Sequence, residues 1–310
     1  MMDQIKHIPF GGPDKKESSL EQSEIVVLPL CYEANPSYGE GSLNGPIDIL
    51  VASEQLECMD EETLINWYQA RIHTRPLFFP SLTPEKGVQE MKGQAEIILK
   101  QHKFLLCLGG DHAITIGPVM AAAELYPEMA VLQVDAHLDL RNQWNGSRLN
   151  HACVVRRIME DVKAPVIQVG IRSFSEEEAI YVKEKGLTPF FAHQISETDD
   201  TWIDDVVNLL PEHVYMTIDL DGLDPSEIPG TGTPEPGGLR YRQLVKLVRA
   251  VGKNRKVIAA DINELAKIEG TQVSEYTAAK IATKLMVYCV IGKKLLTLKP
   301  VRCERPNQIR

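Results

Sequence analysis

Three short strings hold the residues best able to do chemistry. DAHLDLR (135–141) places Asp135, His137 and Asp139 at alternate positions, so in an extended segment all three side chains would point to one face. DLD (219–221) repeats that spacing with Asp219 and Asp221, and GGDHA (109–113) adds His112. If the three segments are neighbours, four carboxylates and two imidazoles converge on one small volume. Such a cluster is costly without cations, because each buried unpaired carboxylate is destabilising and like charges repel at close range. Four negative charges match two divalent ions, and six ligands can serve two ions only if some carboxylates bridge. Bridging holds the ions about 3.5–4 Å apart, the separation used by two-metal hydrolases. Oxygen-rich, thiolate-free donors favour Mn²⁺, with Ni²⁺, Co²⁺ or Fe²⁺ as alternatives, over a structural Zn–Cys site. Taken singly, an aspartate or histidine at a strand end more often caps a turn. The three strings together point to metal.

These residues need a frame that brings distant segments side by side. Apolar runs at 24–30, 104–108, 130–135, 166–171, 188–192, 214–221 and 256–262 read as strands, most of them nearly continuous in hydrophobicity, as expected when both faces are covered. Amphipathic stretches near 47–58, 84–102, 115–126, 151–161, 175–186, 200–210, 240–253 and 274–291 read as helices between them. That alternation predicts an α/β fold with a doubly wound, mainly parallel sheet, in which ligands sit outside the carboxyl ends of the strands. The chemistry-bearing strings fall at such ends. PSEIPGTGTPEPGG (225–238) reads as a long loop at a strand end, and no interdomain linker or internal repeat is evident.

With 310 residues the chain is long enough to bury a large core, and its balance of charged and apolar residues argues against disorder. A net charge of −10 disfavours nucleic acid as the main partner and mildly favours cationic ligands. The six cysteines are scattered without a CxxC pair, the N-terminus lacks the apolar core of a signal peptide, and no stretch approaches a membrane span. A cytoplasmic protein is expected, with no membrane partner.

The strings GGDHAITIG (109–117), DAHLDLR (135–141) and TIDLDGLDPSEIPGTGTPEPGG (217–238) resemble, in that order, the three signatures of the ureohydrolase (arginase/agmatinase) family. YEANPSYGEGSLNGPIDILVASEQLECMDEE (32–62) is similar to the agmatinase amino-terminal segment and LNHACVVRRI (149–158) to its post-metal loop. The resemblance implies an arginase-like three-layer α-β-α fold, with residues 1–23 as an N-terminal extension and 24–310 as a single ureohydrolase domain. It further implies a binuclear Mn enzyme that hydrolyses a guanidino group to urea and an amine, and a homotrimer or homohexamer. Carried over, it assigns His112, Asp135, Asp139 and Asp219 to one metal, and Asp135, His137, Asp219 and Asp221 to the other. Asp135 and Asp219 would bridge. Asp139 would pass a proton to the leaving amine, His151 would relay protons to bulk water, and Glu264 of DINELA would pair with the substrate guanidinium. Elementary chemistry agrees: a guanidinium carbon is a poor electrophile, and two divalent ions make water a nucleophile near neutral pH.

Two handles for an amino-acid tail are missing. Where arginase-like members have an Asn after DxHxD this chain has Arg141, and where they have an Asp after the IGLR-type strand it has Ser173 and Ser175. The expected substrate is therefore a small cationic guanidino compound, agmatine first, giving putrescine and urea for polyamine biosynthesis. Glu176, Glu177, Glu178 and Glu235 are acidic candidates at the pocket rim. Arg141 and Arg172 cut the other way, keeping guanidinobutyrate, guanidinopropionate or guanidine itself as alternatives. More remote are a single-metal deacetylase, which needs only one Asp-His-Asp site, and a catalytically silent metal scaffold.

Overall fold

The computed structural model describes residues 7–292. Eight strands, β1 (Ile25–Leu30), β2 (Ile72–Thr74), β3 (Phe104–Gly109), β4 (Ala130–Val134), β5 (Val166–Ile171), β6 (Phe190–Phe191), β7 (His213–Asp219) and β8 (Lys256–Asn263), form one sheet in the order β2-β1-β3-β8-β7-β4-β5-β6. Every neighbouring pair is parallel.

The helices are α1 (Gly45–Ser53), α2 (Pro84–Leu99), α3 (Ile116–Leu125), α4 (Val154–Arg157), α5 (Glu176–Lys185), α6 (Thr201–Leu209), α7 (Tyr241–Asn254) and α8 (Val273–Met286). Strand side chains alternate between two cores. On one face Ile25, Val27, Leu106 and Leu132 pack with residues of α1, α6, α7 and α8. On the other Val26, Leu28, Leu105 and Val131 pack with residues of α2 and α3. The result is the expected three-layer α-β-α architecture, and it explains the near-continuous apolar strands: both faces are covered. The two amphipathic stretches 84–101 and 274–294 accordingly turn their apolar sides inward as α2 and α8, as far as the described residues extend.

The topology positions the site. β7 and β8 come last in the chain yet occupy the centre, between β3 and β4. The carboxyl ends of β3, β8, β7 and β4 therefore lie side by side, and on or just after them sit His112, Glu264, Asp219 and Asp135. That is the crevice where a doubly wound sheet binds its ligands.

Several elements differ from the sequence reading. β2 was not expected: its three residues, IHT between Arg71 and Arg75, are too short and too polar for an apolar run, and pairing with β1 makes them a strand. β6 shrinks to two residues at the sheet edge. The stretch 151–161 is not one helix but a 3-10 turn over His151–Cys153, α4, and a π turn over Ile158–Val162, closed by Lys163 in a left-handed conformation. The last helix likewise passes from α8 into a π turn at Val287–Ile291. Residues 7–23 lie against the domain: Phe10 is buried edge-on to Trp67, Gly11 N–H donates to Ser53 Oγ, and Ser18 N–H donates to the Ile72 carbonyl. Among the described residues no helix is long and apolar enough to cross a membrane.

Candidate metal centre

The chain reaches the site through a backbone that admits nothing larger than glycine. After β3, a Cβ on Gly110 would lie 1.9 Å from the Tyr32 carbonyl oxygen, so only glycine lets the chain turn there and deliver His112. Asp111 caps the turn, its carboxylate accepting the Ala113 and Ala34 N–H groups. After β4 the chain leaves the sheet, and the expected extended face of DAHLDLR does not form. His137 N–H donates to Asp135 Oδ1, Ala136 N–H to Asp221 Oδ1, and Asp139 takes a left-handed φ of 52°. The alternate spacing still converges its side chains, but through a looped backbone rather than a strand. Asp219 ends β7, and Asp221 sits in the 3-10 turn that follows, its N–H donated to Asp219 Oδ1.

Six side chains meet there. His112 Nδ1 lies 3.1 Å from Asp135 Oδ2, 2.9 Å from Asp139 Oδ2 and 3.3 Å from Asp219 Oδ2. His137 Nδ1 lies 3.6 Å from Asp135 Oδ1 and 3.1 Å from Asp221 Oδ2. Two ligand triads result, His112-Asp135-Asp219 and Asp135-His137-Asp221, with Asp135 common to both. The sharing is what a binuclear centre requires.

The donor set fits metal on its own evidence. His112 Nδ1 is buried and has no hydrogen-bond partner, although it faces three carboxylates. Its other nitrogen, Nε2, lies 2.9 Å from Thr217 Oγ1. With the N–H placed there, the Nδ1 lone pair points at the acidic cluster, an arrangement that is repulsive until a cation fills it. Gln133 Nε2 donates to Asp135 Oδ2 at 2.7 Å and is itself held by Gln168, which it meets in register across β4 and β5. Thr233 Oγ1 donates to Asp221 Oδ2. Sequence reading passed over Gln133, Gln168 and Thr217. The available signal was a polar residue at an inward position of an otherwise apolar strand.

Electrostatics follow from burial and crowding. Burial, reinforced by Asp135, pushes the Asp139 carboxyl up to about 7. Burial and the charges of Asp221 and Asp135 hold Asp219 well above the carboxylate range, and burial beside Asp111 does the same for Glu264. For His137 burial works downward, but Asp221 and Asp135 overcome it and raise the imidazole to about 12. His151 is the opposite case: burial first, then the neighbouring imidazoles, lower it to about 4.

A cavity of about 320 Å³ opens over these groups, lined by His112, His137, Asp139, Asp219, Asp221, His151 and Glu264 as well as by Tyr38, Trp144 and Phe174 nearer its mouth. Glu264 is in a left-handed conformation with φ 66°, pinned by its N–H to the Gly110 carbonyl, and Oε1 accepts the His112 N–H at 2.7 Å. All eight residues singled out from sequence thus lie at one site. The rim is different from expectation. Glu178 is buried and consumed by capping, accepting from Ser175 N–H, Ser175 Oγ and Leu140 N–H. Glu235 accepts from Ser173 Oγ. Arg172 does not point into the mouth as a free charge: its guanidinium donates to the carbonyls of Gly170, Asp221, Leu223 and Glu235 and ties the loops together. Arg141 does line the cavity, stacked over the Trp144 ring at 4.2 Å.

A parallel three-layer sheet carrying two His/Asp triads that share a carboxylate defines a class of hydrolase able to hold a pair of metal ions. The chain belongs to the Arginase family, whose model matches residues 23–288. It is a hydrolase of amidino compounds. It is 38% identical to an N(1)-aminopropylagmatine ureohydrolase of Synechocystis, covering 87% of this chain and 90% of that one. It is 32% identical to an agmatinase of Pyrococcus horikoshii, covering 88% and 93%. Among solved structures, an agmatine ureohydrolase of Thermoplasma volcanium superimposes with a TM-score of 0.83 at 25% identity, covering 94% of this chain and 97% of that one.

Proposed function

We propose that this protein is a binuclear-metal ureohydrolase that cleaves agmatine or a close analogue to urea and an amine, and that it is a cytoplasmic enzyme of polyamine synthesis. The observation that carries the reading is the unpartnered His112 Nδ1 facing three carboxylates in a cavity that also presents Glu264. His112, Asp135, Asp139 and Asp219 would hold one Mn²⁺ and Asp135, His137, Asp219 and Asp221 the other, with Ni²⁺ or Co²⁺ as alternatives; the second triad, together with membership of the family, argues against a single-metal deacetylase. When bound, the two ions supply Lewis acidity that makes a water molecule nucleophilic near neutral pH.

The rest of the work falls to the chain. Glu264, held by the Gly110 carbonyl and the His112 N–H, presents a planar carboxylate to a planar guanidinium, which fixes the central carbon near the acidic cluster. Asp139, which lines the cavity beside His112, takes a proton from the attacking water and gives it to the departing nitrogen. His151, neutral at working pH, carries protons between the cavity and solvent. The absence of an acidic or amide group at position 141 and the engagement of Ser173 with Glu235 fit a substrate without an α-amino acid end. We place the catalytic domain at 24–310, with 1–23 as an extension, and expect a homotrimer or homohexamer.

One observation favours a second reading. Among the described residues no carboxylate pairs with Arg141, whose guanidinium lines the cavity on the Trp144 ring. A carboxylate-tailed guanidino acid could use it. Urea release from Mn-loaded protein with agmatine, N(1)-aminopropylagmatine, arginine, 4-guanidinobutyrate, 3-guanidinopropionate and guanidine side by side tests both. Agmatine or its aminopropyl derivative as the best substrate supports the first reading. Preference for a guanidino acid supports the second, and no urea from any of them rejects the ureohydrolase assignment.

A further inference from the structure

The Ser37 hydroxyl sits 2.7 Å from His151 Nε2 and 3.1 Å from Trp144 Nε1. An indole N–H can only donate, so it occupies a lone pair of Ser37 Oγ and leaves the hydroxyl proton free. That proton can then be donated to His151 Nε2, which makes Nε2 an acceptor and puts the imidazole's own proton on Nδ1. Ser37 is exposed to solvent and His151 is mostly covered, and both line the cavity that holds the metal-centre side chains.

This is not a stray surface serine. Its loop is tied down on both sides, by Ala34 N–H to Asp111 Oδ2 at 2.9 Å and by Gly39 N–H to the Gly232 carbonyl at 3.0 Å. Asp111 precedes His112, and Gly232 lies on the loop that follows β7, so two site-forming segments hold the Ser37 loop where His151 meets water.

We infer that Ser37 is a positioning residue for His151, holding Nε2 as an acceptor and passing protons between that imidazole and bulk water, with the Trp144 indole steadying the hydroxyl. For an inward transfer the Ser37 O–H bond breaks as an N–H bond forms at His151 Nε2. Serine regains a proton from water, and the Nδ1 proton is released into the cavity. The net change is one proton moved inward, with hydroxide left in bulk water and the imidazole left with its proton on Nε2; outward transfer is the reverse and restores the Nδ1–H tautomer.

The inference rests on the ureohydrolase reading for its consequence in turnover but not for its geometry, so the two can fail separately. Ser37→Ala, Ser37→Thr and Trp144→Phe would be compared with wild type. In metal-free protein, ¹⁵N–¹H long-range correlation spectra of the imidazoles, with His151→Asn for assignment, should show the Nδ1–H tautomer at His151 and its loss in Ser37→Ala. In Mn-loaded protein Ser37→Ala should lower kcat about tenfold or more with KM little changed. Ser37→Thr should restore most of the rate, and Trp144→Phe should fall between. An unchanged His151 tautomer, or a kcat within about twofold of wild type in Ser37→Ala, overturns the inference. If wild type releases no urea from any guanidino compound, it is the functional reading that fails, and the tautomer measurement alone decides the role of Ser37.

Discussion

Glu264 serves two neighbours at once: Oε1 takes the His112 N–H, and the rest of the carboxylate faces the cavity. Glu264→Gln keeps the shape and an acceptor oxygen but removes the charge, so the fold and the metal centre should survive while guanidinium binding weakens. A charge-assisted, two-point contact is worth about 3 kcal/mol, which corresponds to a loss of roughly a hundredfold in kcat/KM. Steady-state kinetics beside metal analysis checks this: unchanged rates, or loss of bound metal, would both contradict it. At this scale the sequence was legible where residue type was improbable for its place. Aspartates and histidines at the ends of apolar strands have few structural reasons to cluster, yet His112, His137, Asp139, Asp219, Asp221, His151 and Glu264 line one cavity and Asp135 joins the ligand triads beneath it. Gln133, Gln168 and Thr217 were overlooked because a single amide or hydroxyl in a strand has ordinary explanations. Only the register that sets Gln133 beside Gln168 reveals its purpose. Ser37 and Trp144 carried no sequence signal, since their link to His151 depends on two remote loops meeting.

Among the elements, the strands that build the site were readable because they are covered on both faces, and the edge strands were not. β2 has three residues and β6 two, so pairing rather than composition makes them strands. The order of the sheet was equally hidden, because nothing local states that β7 and β8 insert between β3 and β4. One helix shows how such an arrangement is locked. Lys284 of α8 is 1% exposed and donates to Asp60 Oδ2 at 2.5 Å, Glu61 Oε1 at 2.9 Å and the Tyr288 hydroxyl at 3.2 Å, fastening α8 to the segment after α1. Asp60 is itself 3% exposed, so removing the lysine leaves a buried carboxylate without its cation. Lys284→Met should therefore destabilise by about 3 kcal/mol despite filling the space with apolar atoms. Urea denaturation would report it as a lower midpoint at constant slope. No change in midpoint would show that water reaches Asp60 and that the pair contributes little.

For the whole molecule, the metal centre makes stability depend on pH in a direction fixed by the groups that crowd it. In metal-free protein Asp139 has a folded-state pKa of about 7, above the unfolded carboxylate value, so folding becomes less favourable as pH rises toward 7 and deprotonation is forced in a buried, acidic site. His137 acts in the same sense: raised to about 12, it contributes stability that is complete below its unfolded value near 6.5 and is lost progressively above it. His151, lowered to about 4, opposes them only below about 6.5, where the unfolded chain takes up protons that the folded chain refuses. Between pH 6 and 8 the first two effects dominate, and the metal-free protein should be more stable at pH 6. Divalent cations invert this, since they bind the deprotonated carboxylates and neutral imidazoles and displace protons as they do so. Saturating one site at a hundredfold excess over Kd adds about 2.7 kcal/mol. The rise in Tm on adding Mn²⁺ should accordingly be larger at pH 8 than at pH 6. Asp135→Asn, which removes the carboxylate common to both triads, should abolish most of that rise and also leave the metal-free protein less stable, because the His112 and His137 imidazoles lose the charge that supports them. Differential scanning calorimetry with chelator and with Mn²⁺ at the two pH values measures all four quantities. A Tm shift independent of pH, or one that persists undiminished in Asp135→Asn, would place the metal elsewhere.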